Sequence, residues 1–473
     1  MSSPRLIPLI VSVALFMENM DSTVIATSLP AIAADLGTSP LALKLAVTSY
    51  LLSLAVFIPA SGWAADRFGA RNIFRAAIAV FILGSIGCAL AYSLEGFVGA
   101  RILQGIGGAM MTPVGRLILI RSIDKRELIN AMAWVTMPAM IGPVVGPPLG
   151  GFITTYTSWH WIFIINVPIG LAGIVLVTRY IEPLRAEQIE PFDGLGLLLA
   201  GLGVAGLAFG LSVAGLDLLP WRLVTALIAG GAISMTLYVL HARRIAAPVL
   251  DFSLFRIPTF RASVAGGFLF RLGIGALPFL LPLMLQVGFG MNAFNSGLIT
   301  FVAALGALSM KPVAGPLINR FGFRNILTVN ALIAAAFLVA CAIFTPETPI
   351  LVMLVILLVG GFFRSLQFTA SNTLAYADIE PRYMSRATAL ASVGQQLSIA
   401  AGVAIGAFAV EMTLRARGGT SITASDFAPA FIAVGLVSAL SMLVYMRLPA
   451  SAGAEMAGRV QPTPTESGDH KLG

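Results

Sequence analysis

Gly62-Trp63-Ala64-Ala65-Asp66-Arg67-Phe68-Gly69-Ala70-Arg71 recurs 253 residues later as Gly315-Pro316-Leu317-Ile318-Asn319-Arg320-Phe321-Gly322-Phe323-Arg324. Both copies keep the leading glycine, the Arg-Phe-Gly triplet and the closing arginine, while Asn319 stands where the first copy has Asp66. Glycine permits a tight chain reversal, and a short acidic or amide side chain suits a helix N-terminus. Two such turns in register imply a duplicated unit with a functional latch in each half, the second weaker because Asn319 supplies no charge. An ordinary solvated loop is the plainer reading of either copy taken alone.

Outward from the two copies the chain is almost wholly apolar. Runs of about the 20 residues that cross a bilayer lie at about 7–30, 43–65, 72–93, 96–119, 132–154, 160–179, 194–215 and 221–241. Six more follow at about 260–285, 294–314, 325–345, 349–372, 386–411 and 428–447, fourteen in all. Each latch copy falls between the second and third run of a six-run block. Six spans with loops need roughly 200 residues, so the repeat offset leaves room for two extra runs, those at 194–215 and 221–241. The expected division is a six-helix bundle over 1–185, a linker with two transmembrane helices over 186–256, a second six-helix bundle over 257–448, and a disordered tail over 449–473. Repeated bundles about a central path are the architecture of secondary transporters.

Composition agrees. Of 473 residues, 58% are hydrophobic and 11% charged, against roughly 25% charged in soluble proteins. A soluble enzyme, a disordered chain and a disulfide-stapled scaffold are thereby excluded. Cys88 and Cys341 lie far apart in apolar runs and imply neither a disulfide framework nor a zinc site. The N-terminal apolar run is interrupted by Glu18 and Asp21 and lacks a small-x-small cleavage site, so it reads as an uncleaved first span. Arginines and lysines such as Arg67, Arg71, Arg75, Arg121, Lys125, Arg126, Arg185, Arg243, Arg244 and Arg382 fall in or beside even-numbered connections. Only Lys44, Arg222, Arg415 and Arg417 fall in odd ones. The positive-inside rule then puts both termini in the cytoplasm, and this bias accounts for the net charge of +8 without a nucleic-acid partner.

Further motifs carry a resemblance. Met20-Asp21-Ser22-Thr23-Val24-Ile25-Ala26-Thr27-Ser28-Leu29-Pro30 lies in the first run, and Arg101-Ile102-Leu103-Gln104-Gly105-Ile106-Gly107-Gly108-Ala109 in the fourth. Gly142-Pro143-Val144-Val145-Gly146-Pro147-Pro148-Leu149-Gly150-Gly151 fills the fifth, and Trp159-His160-Trp161 with Asn166-Val167-Pro168 opens the sixth. With the latch loops, these make the chain similar to the major facilitator superfamily, and within it to the fourteen-span drug:proton antiporters. The likeness runs to about residue 448. It implies an all-α membrane protein with the major facilitator fold, exporting small hydrophobic or cationic compounds in exchange for protons from a bacterial inner membrane. A dedicated exporter of one metabolite and an uptake symporter of the same fold are the alternatives; the fifth-run signature argues against the symporter. Odd connections are short, so a periplasmic adaptor would have only spans or small loops to dock on.

Charges at membrane depth are costly and mark function. Asp21 is the candidate proton site, with Arg101 setting its affinity; a permanent pair that only orients helices is the alternative. Glu18 is three residues from Asp21, hence on one helix face. It would attract a lipophilic cation, act as a second proton site, or pair with Arg271. Gln104, Arg271, Arg364, Gln395 and Gln396 are candidates for the substrate path, with helix–helix hydrogen bonding the plainer reading of the glutamines. Gly62, Asp66, Arg67, Gly69 and Arg71, with Gly315, Asn319, Arg320, Gly322 and Arg324, form the expected cytoplasmic gate. Gly142, Gly146 and Gly150 share a helix face that permits close approach of a neighbour; with Pro143, Pro147 and Gly151 they form the antiporter motif, a hinge or leak seal. His160 reads as an interfacial anchor. Gly201-Leu202-Gly203-Val204-Ala205-Gly206 matches a dinucleotide-binding glycine pattern but lies in an apolar run without a βαβ context. No P-loop, metal-ligating helix or Ser/His/Asp constellation is present, so neither cofactor nor metal is expected and the chain is not expected to be an enzyme.

Overall fold

The computed structural model describes residues 6–122, 128–183, 191–213, 219–245, 248–380, 383–419 and 421–453; of residues 120, 128–140 and 385 only the backbone is described. Lys125, Arg126, Arg185, Arg382 and all but the first five residues of the expected tail lie outside that set; residues 450–453 form a turn.

The regular secondary structure of the described residues is all helical. The first half holds α1 (Leu6–Asp35), α2 (Lys44–Phe57), α3 (Ser61–Phe68), α4 (Ala70–Ala89), α5 (Leu94–Ser122), α6 (Leu128–Tyr156), α7 (Trp161–Ile164) and α8 (Asn166–Tyr180). Next come α9 (Gly194–Val213) and α10 (Trp221–Ala242). The second half holds α11 (Pro258–Leu283), α12 (Ala293–Ser309), α13 (Lys311–Phe321), α14 (Phe323–Ala340), α15 (Ile350–Ala375), α16 (Met384–Ala416), α17 (Phe427–Ala439) and α18 (Ser441–Tyr445). Among the described residues 12 helices are long and apolar enough to cross a membrane, or 13 if α12 and α13, bent by 50° at their junction, form one span. The run expected at 132–154 coincides with α6, which is not among them.

Both latch copies form a helix, a reversal and a new helix: α3 turns into α4 at Gly69 and α13 into α14 at Gly322. Their φ angles are +90° and +78°, a region that a β-carbon disfavours, so these two glycines set the reversal. Gly62 and Gly315 differ: a β-carbon on either would meet nothing within 4 Å. Gly69 and Gly322 themselves occupy the N-cap positions of α4 and α14, so neither Asp66 nor Asn319 is the N-cap residue. The face that carries these turns is called the basic face below.

Close helix approach holds neighbouring helices together. A β-carbon on Gly84 of α4 would lie 2.5 Å from the Gln104 backbone of α5, and one on Gly107 2.5 Å from the Phe81 backbone. The glycine-rich stretch set aside as a nucleotide motif has the same use. Gly203 and Gly206 of α9 abut Met235, Leu227 and Gly231 of α10, and Ser234 donates to the Leu199 carbonyl at 2.8 Å. Ala200 and Val204 of α9 share an apolar cluster with Leu52 and Ala55 of α2 and with Leu390 and Val393 of α16. The added pair therefore packs across the junction of the two halves. Asp193 fastens its entrance, accepting from Gly196 N at 2.7 Å and meeting His241 Nε2 at 2.7 Å.

Candidate transport path and proton site

A cavity of about 1220 Å³ reaches from mid-helix positions of α1, α5, α11 and α16 to the basic face. Glu18, Gly108, Thr112 and Arg271 line its deep end, and Asp66, Arg121, Phe192 and Arg386 its mouth. Of the five expected path residues, Arg271, Gln395 and Gln396 are on its wall. Gln104 is not; it is buried in the first bundle. Arg364 lines a separate, small cavity with Ile274, Leu277 and Cys341, and has no hydrogen-bond or ion-pair partner among the described residues.

Toward the opposite face the halves meet. The glycines of α6 divide between two neighbours. β-Carbons on Gly142 and Gly146 would lie 3.0 Å from Met20 N and Thr23 Cβ, and one on Gly150 would lie 2.5 Å from the Val24 carbonyl, so these three pack against α1. Gly151 faces α12, where a β-carbon would lie 2.8 Å from Phe294 Cα and against the Ala293 carbonyl. Gly297 of α12 answers it: its β-carbon would lie 2.9 Å from the Pro147 carbonyl carbon. Phe152 and Tyr156 of α6 pack with Phe294 at centroid distances of 5.9 and 5.8 Å. Phe294 N donates to Thr155 Oγ1 at 3.1 Å, and Gln286 Nε2 donates to the Thr27 carbonyl at 2.9 Å. Small side chains let backbones of different halves touch, and the rings cover the seam.

Asp21 and Arg101 meet between α1 and α5, away from the cavity. Arg101 Nη1 donates to Asp21 Oδ2 at 2.7 Å, with both side chains 1% exposed. Asp21 Oδ1 accepts from Gln104 Nε2 at 2.8 Å and from Asn166 Nδ2 at 3.0 Å. Ser85 Oγ accepts from the same two amides at 2.8 and 3.3 Å. Arg101 also lies 4.2 Å from the Tyr50 ring centroid and donates to Gln104 Oε1. Removing one partner of such a pair leaves a buried charge at a cost of about 3–5 kcal/mol.

Glu18 faces elsewhere. It lines the cavity and accepts from Thr112 Oγ1 at 2.8 Å, so the expected shared face with Asp21 divides. Three residues turn a helix by about 300°, and the remaining 60° separates the cavity wall from the bundle interior. Nor does Glu18 pair with Arg271, which donates to Asn372 Oδ1 at 2.7 Å.

At the mouth, Asp66 accepts from Arg121 Nη2 at 2.6 Å, joining α3 to α5, and Arg71 Nη1 donates to the Ile181 carbonyl at 3.2 Å. Arg67 is exposed at the end of α3, Arg320 lies 5.4 Å from the Phe321 ring, and Arg324 is in the first turn of α14. His160 stacks on Trp159 at 3.8 Å, hydrogen-bonds Ser158 at 2.7 Å and lies 3.8 Å from Asp35 Oδ2.

Sequence reasoning passed over Ser85, Thr112, Arg116 and Asn372. Arg116 interrupts the apolar run of α5 as plainly as Arg101 does, and the same signal finds it. Ser85, Thr112 and Asn372 give no such signal, because uncharged polar residues are ordinary members of membrane helices, where they hydrogen-bond to neighbouring helices.

A family model described as Major Facilitator Superfamily matches residues 11–402 and 263–466. The chain belongs to the major facilitator superfamily. Relatives provisionally named multidrug resistance protein MdtD, from Salmonella heidelberg (strain SL476) and Salmonella typhimurium (strain LT2), are each 39% identical over 444 residues, which is 93% of this chain and 94% of theirs. Among solved structures, a point mutant of the nucleoside transporter NupG superposes with a TM-score of 0.69 at 14% identity, over 94% of this chain and 99% of that one. A D-xylose-proton symporter does so at 0.67 and 15%, over 95% and 98%. These likenesses establish the major facilitator fold, and the chain is a multi-pass membrane protein of that superfamily.

Proposed function

We propose that this superfamily member is a proton-coupled exporter of small hydrophobic or cationic compounds, the multidrug efflux activity suggested by the name of its 39% identical relatives. In this reading α6 is a span like the others, giving fourteen: two six-helix bundles with α9 and α10 inserted between them. The chain resides in the bacterial inner membrane with both termini and the basic face in the cytoplasm.

One observation carries the reading: a large cavity that opens at the basic face, beside a buried Asp21–Arg101 pair that lies outside it. The conformation corresponds to the loading state after proton release, when Asp21 is ionised and held by Arg101. Substrate enters from the cytoplasm and fills the cavity. The halves then part along the α6–α12 seam and close at the latches. A proton arriving from outside neutralises Asp21, frees Arg101 from its counter-charge, and favours return to the loading state. Glu18, on the cavity wall, is the second group that binds the coupling proton.

The test is transport in proteoliposomes with and without an imposed proton gradient. Asp21→Asn keeps the shape of the side chain but cannot be titrated, so gradient-driven efflux is expected to cease. Counterflow exchange without a gradient is expected to persist, since the cavity is untouched. Gradient-driven efflux that survives Asp21→Asn would falsify the coupling role.

A further inference from the structure

Arg271 is a cation at the deep end of the cavity, without a counter-charge among the described residues. It is 6% exposed and lines the cavity wall. Among the described residues its one hydrogen bond is to neutral Asn372, its Nε is buried without a partner, and its guanidinium carbon lies 5.2 Å from the Phe368 ring centroid. Among the same residues no carboxylate forms an ion pair with it. The site is shaped to hold the group: Gly267 stands beside it, and a β-carbon there would come within 2.7 Å of Nη1.

Most other charges along the cavity are matched. Arg121 pairs with Asp66 at 2.6 Å, Arg386 with Asp251 at 3.5 Å, and Asp193 with His241 at 2.7 Å. That leaves Arg271, Arg116 and Glu18. Arg116 is exposed to the cavity and has no hydrogen bond or ion pair among the described residues. Glu18 is held by Thr112. Among the described residues two guanidinium groups therefore stand against one carboxylate. A buried arginine costs several kcal/mol unless an opposite charge meets it, and a guanidinium fork fits an oxyanion with two parallel hydrogen bonds.

We propose that Arg271 is the docking point for an acidic group, a carboxylate or sulfonate, on an otherwise apolar transported compound. The inference rests on the export reading and narrows its cargo to hydrophobic compounds that bear an oxyanion. The oxyanion takes the free side of the Arg271 fork, and the apolar body lies along the cavity. Phe368, on the flank of the guanidinium, shields the contact from water.

Three probes on one ring system test this: 1-naphthalenesulfonate, uncharged 1-naphthalenesulfonamide, and the 1-naphthylmethyl-trimethylammonium cation. The two charged probes keep their charge at every working pH, so a pH gradient does not redistribute them through lipid. Binding is read by equilibrium dialysis of the purified full-length protein, and flux in proteoliposomes under a pH gradient. The sulfonate is expected to bind about 10- to 100-fold more tightly than the sulfonamide, the range of a charge-assisted hydrogen bond in a desolvated site. Arg271→Gln is expected to collapse that difference and Arg271→Lys to restore part of it, with thermal unfolding and gel filtration confirming that both variants fold. Tightest binding of the ammonium probe, or a sulfonate preference that survives Arg271→Gln, overturns the proposal. Arg271-dependent sulfonate binding without gradient-driven flux supports the site and overturns the transport reading. Gradient-driven flux of the ammonium probe alone overturns the site and leaves transport standing.

Discussion

Adding one methyl group at Gly151 is expected to push the two halves apart at the face opposite the basic one. The new β-carbon would sit 2.8 Å from Phe294 Cα and against the Ala293 carbonyl. Carbon atoms rest at about 3.5–4.0 Å, and both obstacles are backbone, so neither can rotate away. Overpacking of this kind costs about 1–3 kcal/mol. The cost falls on the arrangement seen here alone, because α6 and α12 belong to different halves and lose the contact when the face opens. At about 1.4 kcal/mol per tenfold, Gly151→Ala should favour the opposite-open arrangement by about 5- to 150-fold. Ser296 is fully buried on α12, so Ser296→Cys, in a chain with Cys88 and Cys341 replaced by serine, reports on the seam. Whole cells treated with a membrane-impermeant maleimide should label faster at that position by the same factor, and net efflux should fall. Gly297→Ala should act alike, since its β-carbon meets the Pro147 backbone, whereas Gly230→Ala, with nothing within 4 Å, should not. Labelling and efflux unchanged from the parent would refute the idea that this seam opens during transport.

Two further outcomes follow from the geometry. Asp66 and Arg121 are 35% and 27% exposed, so their pairing is worth about 0.2–1 kcal/mol. Asp66→Ala and Arg121→Ala should each lower transport without removing protein from the membrane, and the double variant should be no worse than either. Additive losses would mean that the two act separately. Gly84→Ala places a β-carbon 2.5 Å from the Gln104 backbone, which should cost about 1–3 kcal/mol and disturb the Asp21 contacts made by Gln104. A lower unfolding midpoint together with weaker gradient-driven efflux is expected; an unchanged midpoint would mean that α4 and α5 can separate freely.

The apolar runs were legible because a bilayer leaves each spanning segment to satisfy its own backbone, which a sequence window detects. Thus the run expected at 194–215 coincides with α9, and even the run weakened by Arg222 coincides with α10, with Arg222 beside the Trp221 ring at its end. The partnership of Asp21 with Arg101 was legible for a similar reason, as a carboxylate in an apolar run must find a cation. Gln104 and Arg364 were misplaced because a helix in a bundle has two polar-tolerant sides, the cavity wall and the bundle interior. Residue type does not distinguish them.

Sequence alone determined the repeat, the apolar runs, a glycine-based reversal in each copy of the repeat, and most of the ionisable residues that interrupt the apolar runs. These follow from local rules: lipid demands helices, a positive φ favours glycine, and a buried charge is rare. Only the tertiary structure decided that Asp21 is sealed inside one bundle while Glu18 faces the cavity. It alone divided the α6 glycines between α1 and α12, and left Arg271 with no carboxylate partner among the described residues. Each of these depends on where helices distant in sequence lie against one another, and helix rotation of a few tens of degrees moves a side chain from one surface to another. The charged 11% of the chain marked the residues, and packing assigned each of them a neighbour.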